Sequence, residues 1–291
     1  MRTLPEGTTI REITLVVNNL ESMTRFYAES VGFIVLRSEA NRVELGAEER
    51  RPFLRLVEDT AALRRPPDAP GLFHAAYVYE NRASLGRVFR GLLQKGVRIV
   101  GTADHGVSEA VYLADPEGNG IELYADRPRE RWPFRNGQLE MLTEPLDVQG
   151  LLSAAVHAPD GTGRARIGHL HLQVSSLAAA ERWWVDEVGF EVVQRSYPGA
   201  LFVAAGGYHH HIGLNTWRSL ARKLPEGRWT GLRGATIAVP GAGALLSLKE
   251  RLHTDAQTAE GGVRTEFEST HVQFIETASP IQSSHRQRGE T

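Results

Sequence analysis

The histidine and glutamate side chains are the residues of this sequence whose types and spacing offer chemistry. The chain has 11 His and no Cys, which excludes disulfides, thiolate nucleophiles and sulfur-ligated metals. Any metal must therefore be held by nitrogen and oxygen atoms. Glu12 and His169 fall at the same place in an internal repeat, one strand before a helix. A small-molecule enzyme of this build would place a metal ligand there.

The internal repeat is long and indicates a duplicated architecture. The segment Val16–Leu36 (VVNNLESMTRFYAESVGFIVL) returns as Gln173–Val193 (QVSSLAAAERWWVDEVGFEVV), so that Gly32 matches Gly189. The two copies lie much further apart than the roughly 50 residues of the longest solenoid repeats. The repeat therefore indicates duplicated domains.

The elements before and after each helix follow a β-α-β-β-β order. Ile10–Val17 is rich in Ile, Thr and Val and is predicted to be a strand. Leu20, Met23 and Tyr27 then recur at helical spacing as far as Gly32, and short extended stretches follow. The same order recurs three times, starting at Leu72, Ile167 and Leu232. Two such modules side by side would pair their strands into a strongly curved sheet that half-encloses a cup.

We therefore expect an α+β fold of four βαβββ modules, paired into two tandem domains with curved mixed sheets. The expected limits are 8–127 for the first domain (modules at about 8–60 and 71–127), 128–164 for a linker, 165–278 for the second domain and 279–291 for a disordered tail. The linker is rich in Pro, Arg, Asp and Gly and is predicted to contain a short helical piece near Leu146–Ala155.

The overall composition is that of a soluble globular protein. Hydrophobic residues make up 41% and charged residues 23%, and the net charge of −2 favours neither nucleic acid nor an anionic membrane as a partner. We find no run of about 18 apolar residues and no signal peptide. The expected location is cytoplasmic.

Four stretches of the sequence carry a resemblance to a known family. They are IGHLHLQVSSL with the RWWVDEVGF helix after it, GLFHAAYV, GGYHHHIGLNTW at Gly206–Trp217, and DPEGNGIELYADRP at Asp115–Pro128. They resemble the vicinal oxygen chelate superfamily, which includes glyoxalases, bleomycin resistance proteins and extradiol dioxygenases. The four modules and the last two stretches are similar to two-domain catechol 2,3-dioxygenases. The resemblance covers about residues 8–277.

This resemblance implies an oxidoreductase that opens a catechol ring next to its two hydroxyl groups. Such enzymes hold one Fe(II), less often Mn(II), with two His and one carboxylate, which leaves adjacent positions open for substrate and O₂. The implied partners are a small aromatic diol and O₂. Association into a homo-oligomer is left open.

The family pattern implies a metal site in the second half of the chain. It takes one ligand from the first strand of module three, where His169 stands, and one from the first strand of module four, where Gly234 has no side chain. The third comes from the last strand of module four, where Glu276 can be aligned with Glu122 of the first half. The missing imidazole would then come from another strand.

The run Tyr208–Leu214 contains the imidazoles that would complete this site. If the run is a strand, His209 and His211 share one face and His210 faces away. The implied metal site is then His169, His211 and Glu276, with His209 or His171 assisting proton transfer.

The first half carries a competing set of ligands. Glu12, His74 and Glu122 occupy the three positions that the extradiol pattern assigns to ligands, with Glu12 in place of the usual His. The choice between the two sets is left open. His105, in a loop with Gly106, could close over a substrate, although a turn role is the simpler interpretation.

Two other functions are compatible with the same resemblance. One is a glyoxalase-like lyase or isomerase that uses Zn(II) or Ni(II) as a Lewis acid, with a ligand near Gly213. The other is a metal-free protein that sequesters planar ligands in the same cup. The oxygenase is the preferred hypothesis because four modules and a His-rich second cup favour it.

Overall fold

The computed structural model describes residues 3–47, 51–157, 165–252 and 261–277. Within these residues, three of the four expected βαβββ modules are complete and the fourth has three strands. The first module comprises β1 (Thr9–Val17), α1 (Leu20–Arg25), β2 (Ile34–Glu39), β3 (Arg42–Gly46) and β4 (Leu54–Glu58). The second comprises β5 (Gly71–Tyr79), α2 (Arg82–Gln94), β6 (Ile99–Asp104), β7 (Ser108–Ala114) and β8 (Gly120–Asp126).

The remaining elements belong to the connecting segment and to modules three and four of the second half. The connection holds β9 (Phe134–Arg135), β10 (Gln138–Leu139) and α3 (Val148–Ala154). The third module comprises β11 (Ala165–Gln173), α4 (Leu177–Glu181), β12 (Glu191–Gln194), β13 (Ala200–Ala204) and β14 (Ile212–Asn215). The fourth comprises β15 (Gly231–Pro240), α5 (Ala242–Arg251), β16 (Val263–Phe267) and β17 (Thr270–Thr277). The helical piece expected near Leu146–Ala155 is confirmed as α3, whereas 158–164 and the tail 279–291 lie outside the described residues.

The sequence repeat is reproduced in the geometry of the first helix of each half. Helix α1 continues as a π-helical stretch, Phe26–Val31, and α4 continues as another, Arg182–Val188. Both stretches end at a left-handed glycine, Gly32 with φ 93° and Gly189 with φ 98°. Glycine is needed there because a Cβ disfavours positive φ.

The strands form two large mixed sheets, which confirms the α+β class. One sheet has the order β16-β17-β15-β1-β4-β3-β2 and the other has the order β12-β13-β14-β11-β5-β8-β7-β6. The first sheet therefore joins modules one and four, and the second joins modules two and three. The expected limits of 8–127 and 165–278, which assume that consecutive modules pair, do not coincide with the two sheets.

The pairing of modules follows from the first strand of each one. Strand β1 pairs antiparallel with β15, and β5 pairs antiparallel with β11. Each first strand has an edge whose backbone N–H and C=O groups need partners, and the first strand of any other module can supply them. Because both pairings satisfy these hydrogen bonds, local sequence does not choose between them.

The DPEGN turn between β7 and β8 fastens module two onto module one. The Glu117 carboxylate accepts hydrogen bonds from the backbone N–H groups of Asn18 and Asn19, both at 2.8–2.9 Å from Oε1, at the start of α1. Asp115 accepts from the Asn119 N–H at 2.9 Å and from the Tyr27 hydroxyl at 3.0 Å. The motif therefore has a structural role, as its turn chemistry indicates.

The connecting segment packs against the second module. Gly86 of α2 lies so close to α3 that a Cβ on it would fall 2.3 Å from the Leu151 carbonyl oxygen. Residues of the same segment, among them Met141 and Leu142, line the cavity described below. No helix in the described parts of the chain is both long and apolar enough to cross a membrane.

Candidate metal centre

Three neighbouring strands of the eight-stranded sheet bring two imidazoles and a carboxylate to one face. His169 of β11 pairs with Ala76 of β5, and Ala76 pairs with Glu122 of β8. Paired residues of neighbouring strands point to the same face of a sheet, and so do residues two apart on one strand. His74, two residues before Ala76, therefore shares the face of His169 and Glu122.

The three side chains converge within hydrogen-bonding distance of one another. The Nε2 atoms of His74 and His169 each lie 3.0 Å from Oε2 of Glu122 and 3.4 Å from each other. All three residues are buried, and one ligand atom from each lies within 4.8 Å of the others. Within the described ranges, this is the group of His and acidic side chains whose geometry could hold a metal ion.

The protonation states of this group suit metal binding. Burial lowers the pKa of His169 to about 4, so its imidazole is neutral near pH 7 and has a lone pair to donate. Burial by itself would raise the pKa of Glu122. The interactions of the carboxylate with His169 and His74 lower this pKa by more, so it lies well below its usual value. Two imidazoles with one carboxylate form the donor set typical of non-haem Fe(II) oxygenases.

A second hydrogen-bonded chain lies beside Glu122. Tyr112 of β7 pairs directly with Glu122, and its hydroxyl lies 2.7 Å from Nε2 of His105. His105 donates from Nδ1 to the Leu142 carbonyl at 2.6 Å, so its Nε2 accepts the Tyr112 proton. Burial, together with the Glu122 charge, raises the pKa of Tyr112 well above its usual value. His105 therefore lines the cavity. This position is compatible with the role considered from the sequence, in which His105 closes over a substrate.

The run His209–His211 differs from the expected strand. It lies in the loop before β14, because Gly206 and Gly207 turn the chain with φ values of 60° and 68°. The alternation argument therefore does not apply, and the orientations are the reverse of those expected. His210 lines the cavity with its ring 4.0 Å from that of His169, whereas His211 accepts from the Ala205 N–H through Nδ1 at 3.2 Å.

His209 lies behind His210 and connects it to an acidic side chain. Nε2 of His209 lies 2.8 Å from Oδ1 of Asp126, and Nδ1 of His209 lies 2.8 Å from Nδ1 of His210. Asp126 also accepts from the Tyr208 hydroxyl at 3.0 Å. Glu122, Tyr124 and Asp126 alternate along β8, so the period of two in ELYAD is the sequence signal that could have found Asp126.

His171 lies on the cavity side of β11, as its spacing from His169 predicts. It pairs with His74 on one side and with Gly213 on the other. A Cβ on Gly213 would fall 3.0 Å from the His171 ring, so the glycine leaves room for this imidazole. Nε2 of His171 is buried without a hydrogen-bond partner, and burial lowers the pKa of the ring well below its usual value.

The remaining predicted ligands lie on the seven-stranded sheet, away from this group. Glu12 of β1 makes a salt bridge with Arg55 at 2.9 Å. Glu276 pairs with Val239 near the end of β17 and lines a separate cavity. The proposed combinations of His169 with His211 and Glu276, and of Glu12 with His74 and Glu122, are therefore not brought together.

The His74, Glu122 and His169 side chains, hereafter the triad, line a cavity of about 330 Å³. Its other walls come from β6, β7, the connecting segment, β13 and the loop that contains His210. Three buried polar atoms without a hydrogen-bond partner belong to residues that line it: Nδ1 of His169, Nε2 of His171 and Oε1 of Gln194. Such a concave, mostly apolar space with a few convergent polar groups is typical of a small-molecule site.

Comparisons with known proteins agree with this geometry. Residues 9–123 match the model of the Glyoxalase/Bleomycin resistance protein/Dioxygenase superfamily. The chain is 41% identical over 249 residues to a catechol-2,3-dioxygenase of Bacillus subtilis (strain 168), an alignment that covers 82% of this chain and 86% of the relative. The chain belongs to this superfamily.

Two further relatives extend the comparison. A biphenyl-2,3-diol 1,2-dioxygenase 2 of Rhodococcus globerulus is 30% identical over 121 residues, which are 40% of this chain and 58% of that protein. A solved structure of a putative dioxygenase from Bacillus subtilis superposes with a TM-score of 0.63 at 13% identity, over 95% of this chain and 86% of that one. The last comparison supports the superfamily fold alone.

Membership of the superfamily accounts for the triad. This superfamily member is an oxidoreductase similar to catechol 2,3-dioxygenase, and its relatives imply a metal cofactor. The expected oxygenase class and the vicinal oxygen chelate fold are confirmed. In this member, two of the triad residues come from module two and one comes from module three.

Proposed function

We propose that the protein is an extradiol ring-cleaving dioxygenase, which opens a catechol with O₂ at one Fe(II) held by His74, Glu122 and His169. The convergence of two imidazole nitrogens on one carboxylate oxygen inside a cavity carries this proposal. The similarity to a catechol-2,3-dioxygenase supports the reaction class. An aromatic diol and O₂ would be the substrates.

The donor set supports iron as the metal, with Mn(II) as the alternative. Held by these three residues, Fe(II) would supply the binding and activation of the diol and of O₂. Carboxylate and imidazole suit both ions, whereas Zn(II) and Ni(II) would accompany the lyase reaction. Oxygen consumption separates these two reactions.

His210 is the side chain we assign as the base that accepts a proton from a catechol hydroxyl. His209 donates Nε2–H to Asp126 and so presents Nδ1 as an acceptor, to which His210 donates Nδ1–H. This tautomer leaves Nε2 of His210 with a lone pair. Burial lowers the pKa of His210 well below its usual value, which keeps the ring neutral and able to accept a proton.

His171 and Tyr112 are the other cavity groups that could hold or move a proton. His171 has an unpartnered Nε2, and the Tyr112 hydroxyl is fixed by its hydrogen bond to His105. We assign them to orienting the diol and the ring-opened product by hydrogen bonds.

The glyoxalase-like alternative lacks support at one position. Glyoxalases of the superfamily use a ligand from the strand that corresponds to β14, where this chain has Gly213. The space beside that glycine contains the His171 ring. The three donors that do converge favour the oxygenase.

The test uses anaerobically prepared protein loaded with Fe(II) and supplied with catechol in air-saturated buffer. We expect oxygen uptake and a yellow ring-fission product that absorbs in the near-visible. The His74→Ala variant is expected to lose iron and activity, because it removes one of the three donors.

Glu12→Ala and Glu276→Ala provide matched controls, since both remove a carboxylate from the other sheet. We expect both to retain iron and turnover. If either one abolishes iron binding while His74→Ala does not, the assignment of the site is wrong. Bound metal without oxygen uptake would instead support the lyase reaction.

A further inference from the structure

The mouth of the cavity is formed by three aromatic side chains, Phe73, Tyr197 and Trp217, hereafter the aromatic rim. Their relative exposures are 36%, 38% and 44%, whereas the triad is buried. The Trp217 ring lies 5.3 Å from that of Phe73 and 6.1 Å from that of Tyr197, as measured between ring centroids. The three rings therefore form one continuous partly exposed surface.

Ring contacts connect this rim to the triad. His171 lies 5.0 Å from His74, 5.2 Å from Phe73 and 5.4 Å from Trp217, again between ring centroids. His171 is thus the layer between the proposed metal ligands and the mouth. A ring substituent that points away from the metal would pass His171 and reach Phe73 and Trp217.

The position of the Trp217 ring is fixed. Its indole N–H donates to the Pro198 carbonyl at 2.9 Å, and the ring contacts both Phe73 and His171. Tryptophan and tyrosine rings held in this way bury large apolar area on a ligand at little cost in side-chain entropy. The rim therefore offers preformed aromatic faces to a ligand.

The charge pattern of the cavity is unfavourable to an anionic substituent. Among the described residues, those that line the cavity include no Lys or Arg, and Glu122 is their one carboxylate. Oε1 of Gln194, an acceptor without a partner, also belongs to the lining. A substrate carboxylate placed between the triad and the rim would lose its hydration without gaining a cationic partner.

We propose that the aromatic rim selects catechols that carry an uncharged apolar substituent, with an aryl ring as the best fit, and that the cavity discriminates against catechols that carry a carboxylate. This inference rests on the proposed function, because it takes the diol to bind at the triad. The rim then stacks on the part of the substrate that does not react.

The activity test compares three substrates with the iron-loaded enzyme: catechol, a phenyl-substituted catechol, and a catechol with a carboxylate at the same ring position. We expect kcat/KM to be highest for the phenyl compound and lowest for the carboxylate. In Trp217→Ala, the ratio of kcat/KM for the phenyl compound to that for catechol should fall about tenfold, which corresponds to roughly one aromatic contact. Trp229→Phe is the control, because Trp229 lies outside the cavity lining, and it should leave the ratio unchanged.

A binding test keeps the outcome independent of turnover. Anaerobic titration of the iron-loaded protein with the phenyl-substituted catechol, without O₂ for turnover, is expected to change tryptophan fluorescence. This change should disappear in Trp217→Phe but not in Trp229→Phe. If catechol is cleaved but the carboxylate compound is cleaved as well as the phenyl one, the selectivity proposal is wrong and the proposed function stands. If no catechol is cleaved while the Trp217 signal remains, the reaction is wrong and the rim still binds aromatic ligands. If no Trp217 signal appears, the rim does not bind the substituent.

Discussion

At the scale of single residues, four strand positions decide which of the two cups can hold a metal. In the eight-stranded sheet these positions are held by His169, His74, Glu122 and Gly213. The strand registers place Glu12, Gly234, Gln273 and Arg55 at the corresponding positions of the other sheet. There Arg55 pairs with Glu12 at 2.9 Å, so a guanidinium neutralises the carboxylate that a metal would need.

A second feature at the scale of single residues is which ring nitrogen of His210 carries the proton. Asp126→Asn replaces the acceptor for His209 Nε2–H with an amide that can donate, and the hydrogen bonds along His209 and His210 would then reverse. His210 Nε2 would then carry a proton and could not act as the proposed base. We expect kcat to fall by roughly 10²-fold or more, the usual contribution of general base catalysis, with the iron content unchanged.

Tyr208→Phe is the matched control for Asp126→Asn. It removes the Tyr208 hydrogen bond to Asp126 at 3.0 Å and leaves the contact between Asp126 and His209 in place. Its kcat should stay within about threefold of wild type, since the His210 tautomer does not change. Steady-state oxygen uptake and metal analysis measure both variants. Equal losses in the two would show that Asp126 acts through packing rather than through His209.

At the scale of elements, the DPEGN turn is a fastening point between modules. Glu117→Ala removes the acceptor for the Asn18 and Asn19 N–H groups, which lie at the start of α1. Because loss of a helix N-terminal acceptor costs about 1–2 kcal/mol, we expect the free energy of unfolding to fall by about that amount. Urea denaturation followed by circular dichroism measures the change.

The Glu117 substitution has its own control. Glu117→Gln keeps one carbonyl oxygen as an acceptor for the same N–H groups and should lose less stability than Glu117→Ala. Neither variant changes a residue of the cavity lining. A large loss of iron in Glu117→Ala, with stability unchanged, would contradict the structural assignment of the turn.

At the scale of the whole molecule, buried imidazoles should make the metal-free protein sensitive to acid. Burial lowers the pKa of His211 to about 3 and that of His169 to about 4, and it also lowers those of His171 and His210. In the unfolded chain, histidines titrate at about 6.5. As pH falls through 6.5, the unfolded state takes up protons first. The contribution of these buried imidazoles to the free energy of unfolding should therefore be fully present above about pH 6.5. It should decrease as the pH falls below that value.

His211→Asn separates this effect from general acid instability. The asparagine amide oxygen can still accept from the Ala205 N–H, but the side chain does not take up a proton. Between pH 7 and pH 5 the wild type should lose roughly 2 kcal/mol more than this variant. Urea titrations at the two pH values measure the difference. Parallel losses would show that His211 does not contribute to the pH dependence.

Much of the fold could be predicted from the sequence because it is encoded locally. Apolar residues at helical spacing, the repeat that ends at Gly32 and Gly189, and the turn chemistry of DPEGN gave the modules and the α+β class. The resemblance to the superfamily, rather than these local signals, implied that His74, Glu122 and His169 stand at metal-ligand positions. The local signals failed at His209–His211, where Gly206 and Gly207 replace a strand with a loop and the alternation of side chains no longer applies.

The sequence by itself determined the modules, the superfamily and the residue types that can bind a divalent metal. Only the tertiary structure decided that His74 and Glu122 of the first half meet His169 of the second. Strand pairing depends on backbone hydrogen bonds, which the first strand of every module can form. The residues near β5 therefore do not determine which strand pairs with it. The assembly of β5, β8 and β11 into one sheet brings the proposed ligands together.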